Sequence, residues 1–162
     1  MPCRASRATV NTLAPFVLNA RLQTLLATSA AKGPPVGVSA GGTDGAAFIV
    51  NVSAMEGKFY RHKTAAHPHT NMAKAALNMM TRTSAAELAA THRIYMTAVD
   101  TGWINDENPR DKAARTAEVN RFQTPIDEVD AASRVLHPVF QGVTTGRPAF
   151  GVFLKDYAES EW

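Results

Sequence analysis

Two short runs, Ala46-Ala-Phe-Ile-Val-Asn-Val-Ser53 and Ile94-Tyr-Met-Thr-Ala-Val99, decide the fold. Each is mostly apolar and bounded by polar or glycine-containing segments. Each also lacks the apolar-polar alternation of a strand with one wet face. Such runs suit strands buried on both faces, as in a parallel sheet. The forty residues between their ends leave room for a crossover helix, and 71–90, rich in Ala, Leu and Met, supplies it.

Upstream, Leu13, Phe16, Val17, Ala20, Leu25 and Leu26 recur at helical spacing and predict a helix over 8–28. Pro15 lies inside it, removes the hydrogen bond that the Asn11 carbonyl would accept, and should kink it there. Residues 31–45 hold seven glycines and prolines and read as a loop. Downstream, 101–123 is polar and irregular, with a helical turn expected near 113–120. Thr124-Pro125 opens a helix over 125–137, with Asp127 and Glu128 at the positive end of its dipole, ending near Pro138. A strand over 149–154 precedes an acidic tail. The order is α/β, a single unit over 1–162, with a short parallel sheet of about three strands flanked by helices. Three strands are few for this class, and one sheet edge is left with unpaired backbone groups.

The composition, 45% hydrophobic and 19% charged, is that of a folded soluble chain with a core to bury. Charges or turn residues interrupt every apolar run, so no transmembrane segment is expected. The one cysteine, Cys3, excludes an internal disulfide and suits a reducing compartment. An intracellular protein is expected, in the cytoplasm or an organelle interior, mitochondrion or chloroplast. The first acid is Asp44, a bias shared with organellar presequences, but a domain starting near Val10 leaves too few residues for a leader. The net charge of +3 is uneven: ten Lys and Arg face three acids through Val99, and seven face eleven from Asp100 onward. The basic residues are scattered singly without stacking aromatics, so they read as a solvated surface and no nucleic-acid partner is expected.

Three stretches stand in a telling order: Phe48-Ile-Val-Asn-Val-Ser-Ala-Met-Glu-Gly57, Thr70-Asn-Met-Ala-Lys-Ala-Ala-Leu77 and Ile94-Tyr-Met-Thr-Ala-Val-Asp-Thr-Gly-Trp-Ile104. In order and spacing they resemble the serine-bearing strand, the Tyr-x-x-x-Lys helix and the following strand with its Pro-Gly turn in the short-chain dehydrogenase/reductase family. The resemblance covers about Asn11 to Leu154, the C-terminal half of such a protein, and implies a partial Rossmann-like fold. The family's chemistry is hydride transfer between NAD(P) and a carbonyl or alcohol carbon. Asn11 matches the family asparagine, whose backbone carbonyl holds a relay water, and Lys74 matches the lysine. Gly102 stands in the Pro-Gly turn, here Thr101-Gly102, and Ile104 where the family places an apolar contact to the nicotinamide. Lys74, Gly102 and Ile104 are thus the cofactor-binding positions the resemblance offers.

Two catalytic positions depart from the pattern. Thr70 stands where the family has its tyrosine, and an aliphatic hydroxyl titrates far above the phenol's value of about 10, beyond help from a lysine. Ala54 stands at the serine, and the adjacent Ser53 should point to the other face of its strand. Asp106 replaces a threonine and suits cofactor carboxamide and phosphates less well. Tyr60 could replace the acid only if its loop folded inward. His67 and His69 lack the companions a metal site needs, so a capping or surface role is expected and no metal. The family's Gly-rich phosphate turn should follow a strand and open a helix. Gly41-Gly-Thr-Asp-Gly45 instead precedes a strand and reads as a loop.

These departures predict a non-catalytic accessory or structural subunit of a larger assembly, with Asn11 and Lys74 as relics and no cofactor expected. Its protein partners would contact the helices 8–28 and 71–90 and the open sheet edge. The alternative is an NAD(P)-dependent oxidoreductase completed by an N-terminal half or a partner chain. A small-molecule binding or sensing module is a further alternative.

Overall fold

The computed structural model describes residues 8–33, 45–65, 67–104 and 124–162. It opens with a π-helical turn, Thr9–Leu13, in which the Ala14 N–H reaches the Thr9 carbonyl five residues back. Helix α1, Ala14–Lys32, follows directly. The irregularity expected inside one helix over 8–28 is therefore a widened turn ahead of α1, with Pro15 in the first α-helical turn, where a missing N–H costs least. α1 also takes in Ala31 and Lys32, assigned above to the loop. Of that loop, 34–44 lie outside the described residues, as do 113–120 and Asp106.

Strand β1, Ala47–Ser53, and strand β2, Ile94–Asp100, pair in parallel, with Ala47 opposite Ile94. A 3-10 turn, Met55–Gly57, and helix α2, Pro68–His92, connect them. α2 begins three residues before the expected Asn71 because Pro68 occupies its first turn, where a proline is preorganised. The Ala47 N–H bonds the Arg93 carbonyl. By alternation, the backbone of Ala47, Ile49, Asn51 and Ser53 faces β2, and that of Phe48, Val50 and Val52 faces the outer edge. Among the described residues β1 pairs with β2 alone, so the expected open edge lies along β1.

Helix α3, Glu128–Thr145, corrects the expected span of 125–137 at both ends. Asp127 is its N-cap, its carboxylate accepting from the Asp130 N–H at 2.8 Å, so Pro125 lies outside. The helix runs on through the buried Pro138, where an end was expected. The turns beyond Pro138 bury Gly142 against the Phe48 ring, and that packing offsets the lost hydrogen bond, roughly 3 kcal/mol for an interior proline.

The strand expected over 149–154 is Phe153–Lys155, β3, parallel to β2. Its approach is already bonded to β2 through Gly151 N–H to the Met96 carbonyl and Ala98 N–H to the Val152 carbonyl. The positive φ of Gly151 keeps the regular ladder from starting sooner. The acidic tail adds an unexpected strand β4, Ala158–Ser160, antiparallel to β3. Among the described residues the sheet thus has four strands in the order β1-β2-β3-β4, where about three were expected. Asp156 and Tyr157, both at positive φ, make the two-residue hairpin. Arg134 of α3 pairs with Asp156, and the Tyr157 hydroxyl donates to Asp130 at 2.6 Å, which holds that strained turn.

α1 and α2 cover one face of the sheet, and α3 covers the other. The core between the α1-α2 layer and the sheet is built on Ala30, Ile49, Ala85, Ile94 and Met96. A polar chain crosses it: Asn19 Nδ2 donates to Asn51 Oδ1, Asn51 Nδ2 to Thr81 Oγ1 at 2.9 Å, and Thr81 to the Leu77 carbonyl. Leu13 in the π-turn and Phe16, Leu18, Leu22 and Leu25 in α1 stay exposed.

Candidate functional site

The π-turn and α2 bring Asn11 and Lys74 to a single cleft of about 270 Å³ beside the outer edge of β1, which Pro15, Val50 and Val52 also line. The Lys74 ammonium donates to the Val52 carbonyl at 2.8 Å. Because the Val52 backbone faces the outer edge, Lys74 caps an edge carbonyl that no strand among the described residues supplies with a donor. Burial lowers the Lys74 pKa below its usual 10.5, while Glu56 and Asp100 oppose the shift by stabilising its charge.

Thr70 sits one turn before Lys74, its N–H bonded to the His67 carbonyl at 3.0 Å. Ala54 continues β1 in extended backbone (φ −163°, ψ 158°), which sends its methyl to the side of Val50 and Val52. The Ser53 hydroxyl lies on the opposite side, within 3.5 Å of the Lys74 carbonyl and bonded to Asn78 Oδ1. The Tyr60 hydroxyl accepts from Lys58 at 3.5 Å, toward the C-terminal hairpin. The cleft thus gathers an amine and an asparagine, but the positions beside them carry a threonine and an alanine. Thr70 and Ala54 supply no proton donor of ordinary pKa, and Lys74 is the one titratable group of the four.

Gly102 has φ +79°, a backbone conformation that calls for glycine, and the Ile126 side chain lies over it. Ile104 forms a β-bridge with Ile126 and stays partly exposed. His67 takes the N-cap position of α2 in left-handed conformation without a side-chain cap bond, and its ring stands 6.1 Å from that of His69. Among the described residues no group of three His, Cys, Asp or Glu could hold a metal, and no helix is long and apolar enough to cross a membrane.

Two residues passed over in the sequence organise the strand ends. The buried Asp100 accepts from the Met55 N–H at 2.9 Å and the Gly102 N–H at 2.6 Å, tying both loops together beneath Lys74. Its place at the end of an apolar strand, ahead of a Thr-Gly turn, was the available signal. Lys58 is fully buried, with its ammonium on Ser160 Oγ and the Glu161 carbonyl and 4.0 Å from the Phe153 ring centroid. Nothing in its sequence neighbourhood announces that.

No family model matches the chain. It is similar to NADPH-bound carbonyl reductase from chicken fatty liver, with a TM-score of 0.65 and 21% identity over 98% of this chain and 57% of that one. It is also similar to carbonyl reductase Sniffer of D. melanogaster, with a TM-score of 0.63 and 20% identity over 94% of this chain and 54% of that one. The fold is that of the C-terminal half of a short-chain dehydrogenase/reductase. The chain spans little more than half the length of these short-chain dehydrogenase/reductase structures. By sequence, an uncharacterised protein of Acanthamoeba polyphaga mimivirus is 39% identical over 98 residues, 57% of this chain and 21% of that protein.

Proposed function

We propose that this chain is a non-catalytic module with the short-chain dehydrogenase/reductase fold, acting as an accessory or structural part of a larger protein assembly. One observation carries the reading: Asn11 and Lys74 share a cleft, but the Lys74 ammonium is bonded to the Val52 carbonyl, and the acid and serine positions of the resemblance are Thr70 and Ala54. A lysine that serves a proton-relay tyrosine must face that tyrosine, whereas here it closes a sheet edge. The exposed apolar residues of α1 and the edge of β1 support the assembly role, because both offer surface that a partner would cover. No cofactor is needed for this role.

The test is the size and composition of the native particle purified through this chain. A particle much larger than 17.4 kDa that contains other proteins supports the proposal, and a lone monomer contradicts it.

The meeting of Asn11 and Lys74, together with the likeness to an NADPH-bound carbonyl reductase, favours a second reading: an NAD(P)-dependent oxidoreductase whose nucleotide-binding half comes from elsewhere in the protein or from a partner. It requires a proton donor beyond Thr70. Carbonyl-dependent NADPH oxidation by the native particle, abolished by Tyr60→Phe, would establish it.

A further inference from the structure

The segment after the 3-10 turn, Phe59-Tyr60-Arg61-His62-Lys63, lies on the surface between β1 and α2 and shapes two adjoining hollows. The first, about 500 Å³, is lined chiefly by Phe59, Met72 and Ala75. Phe59 and Met72 are 84% and 71% exposed, which is unusual for such side chains lining one hollow. The second, about 280 Å³, is lined by Arg61, His62, Lys63 and His67. Glu56, Lys63 and Asn71 line both, so the two hollows share a wall.

The floor is firm. A Cβ on Gly57 would lie 2.6 Å from the Lys74 carbonyl carbon, so the 3-10 turn is seated directly on α2, and the buried Lys58 pins the next residue to the C-terminal hairpin. The Lys63 ammonium is held at the shared wall by a 2.5 Å bond to the Glu56 carbonyl, which leaves two of its three N–H groups to donate elsewhere. Two permanent cations, Arg61 and Lys63, outnumber the one carboxylate of Glu56, which also faces Lys74.

We infer that this two-lobed hollow binds a small amphiphilic anion, with a hydrocarbon or aromatic body against Phe59 and Met72 and a carboxylate or phosphate on Arg61 and Lys63. The arrangement matches general recognition chemistry. Apolar contact area supplies affinity, and a guanidinium with an adjacent ammonium orients an oxyanion through charge-assisted hydrogen bonds. The site is separate from the Asn11-Lys74 cleft and does not depend on whether that cleft is catalytic.

Isothermal titration of the purified chain tests it, with decanoate and decyl phosphate as monomeric probes and 1-decanol, inorganic phosphate and anionic phospholipid vesicles as controls. At least one of the two amphiphilic anions should bind at least tenfold more tightly than 1-decanol or inorganic phosphate. The decanoate-to-decyl-phosphate ratio tells which head group is preferred. Arg61→Ala with Lys63→Ala should weaken anion binding at least tenfold and leave 1-decanol unchanged. Both side chains are exposed, so the far-UV spectrum should be unaltered, and the charge-preserving pair Arg61→Lys with Lys63→Arg should bind within about threefold of wild type. The inference is overturned if 1-decanol binds as well as the anions, if the double alanine variant binds them unchanged, if neither anion saturates, or if vesicles alone are bound.

Discussion

A lysine ammonium on a sheet-edge carbonyl is a structural contact with a measurable signature. Burial lowers the Lys74 pKa from 10.5 in the folded chain. Between that lowered value and 10.5 the unfolded chain holds more protons than the folded one, so folding stability rises with pH across this window; below it the desolvation penalty is present in full. In urea titrations, wild type should therefore gain stability relative to Lys74→Met as pH climbs from neutral toward 10.5; an unchanging difference would show that Lys74 is effectively solvated. Asn51 makes a second point at this scale. Asn51→Ala breaks the chain from Asn19 to Thr81 in a buried layer and should cost about 1–3 kcal/mol, read from the urea midpoint. Lys74 and Asn11 were legible because their motif spacings survive in the chain. Lys58 was not, since its burial depends on Ser160, 102 residues away, and no local pattern encodes so distant a contact.

Among the elements, β1, β2 and α2 were readable because two apolar runs around an Ala- and Leu-rich helix allow few arrangements. Local rules failed where tertiary contacts outweighed them. Pro138 should stop a helix, yet the packing of Gly142 on Phe48 carries α3 to Thr145. The acidic tail was assigned no element, yet the hairpin at Asp156-Tyr157 is anchored on α3 by Arg134 and Asp130. That anchor is testable. The Asp130 carboxyl is held below its usual 3.8, first by the Tyr157 hydroxyl and then by Arg134. Tyr157→Phe should move the Asp130 pKa upward in a carboxyl NMR titration, and no movement would mean that the hairpin does not sit on α3.

For the whole molecule, the exposed apolar residues of the π-turn and α1 and the outer edge of β1 are the features that a solitary chain handles worst. Leu13→Glu with Phe16→Glu should lower binding of a hydrophobic dye and release the chain from its native particle without altering its helix content. Retention in the particle would place the contact elsewhere. The departures at Thr70 and Ala54 were visible in sequence; that Lys74 turns to the Val52 carbonyl was not, because a side chain's direction is set by the assembled sheet. On the proposed reading this cleft does not serve a nicotinamide cofactor. The most direct measurement is a fluorescence titration of the native particle with NADPH, in parallel with one carrying Lys74→Ala. The account predicts no saturable binding that depends on Lys74. Saturable NADPH binding by the wild type that Lys74→Ala abolishes would contradict it.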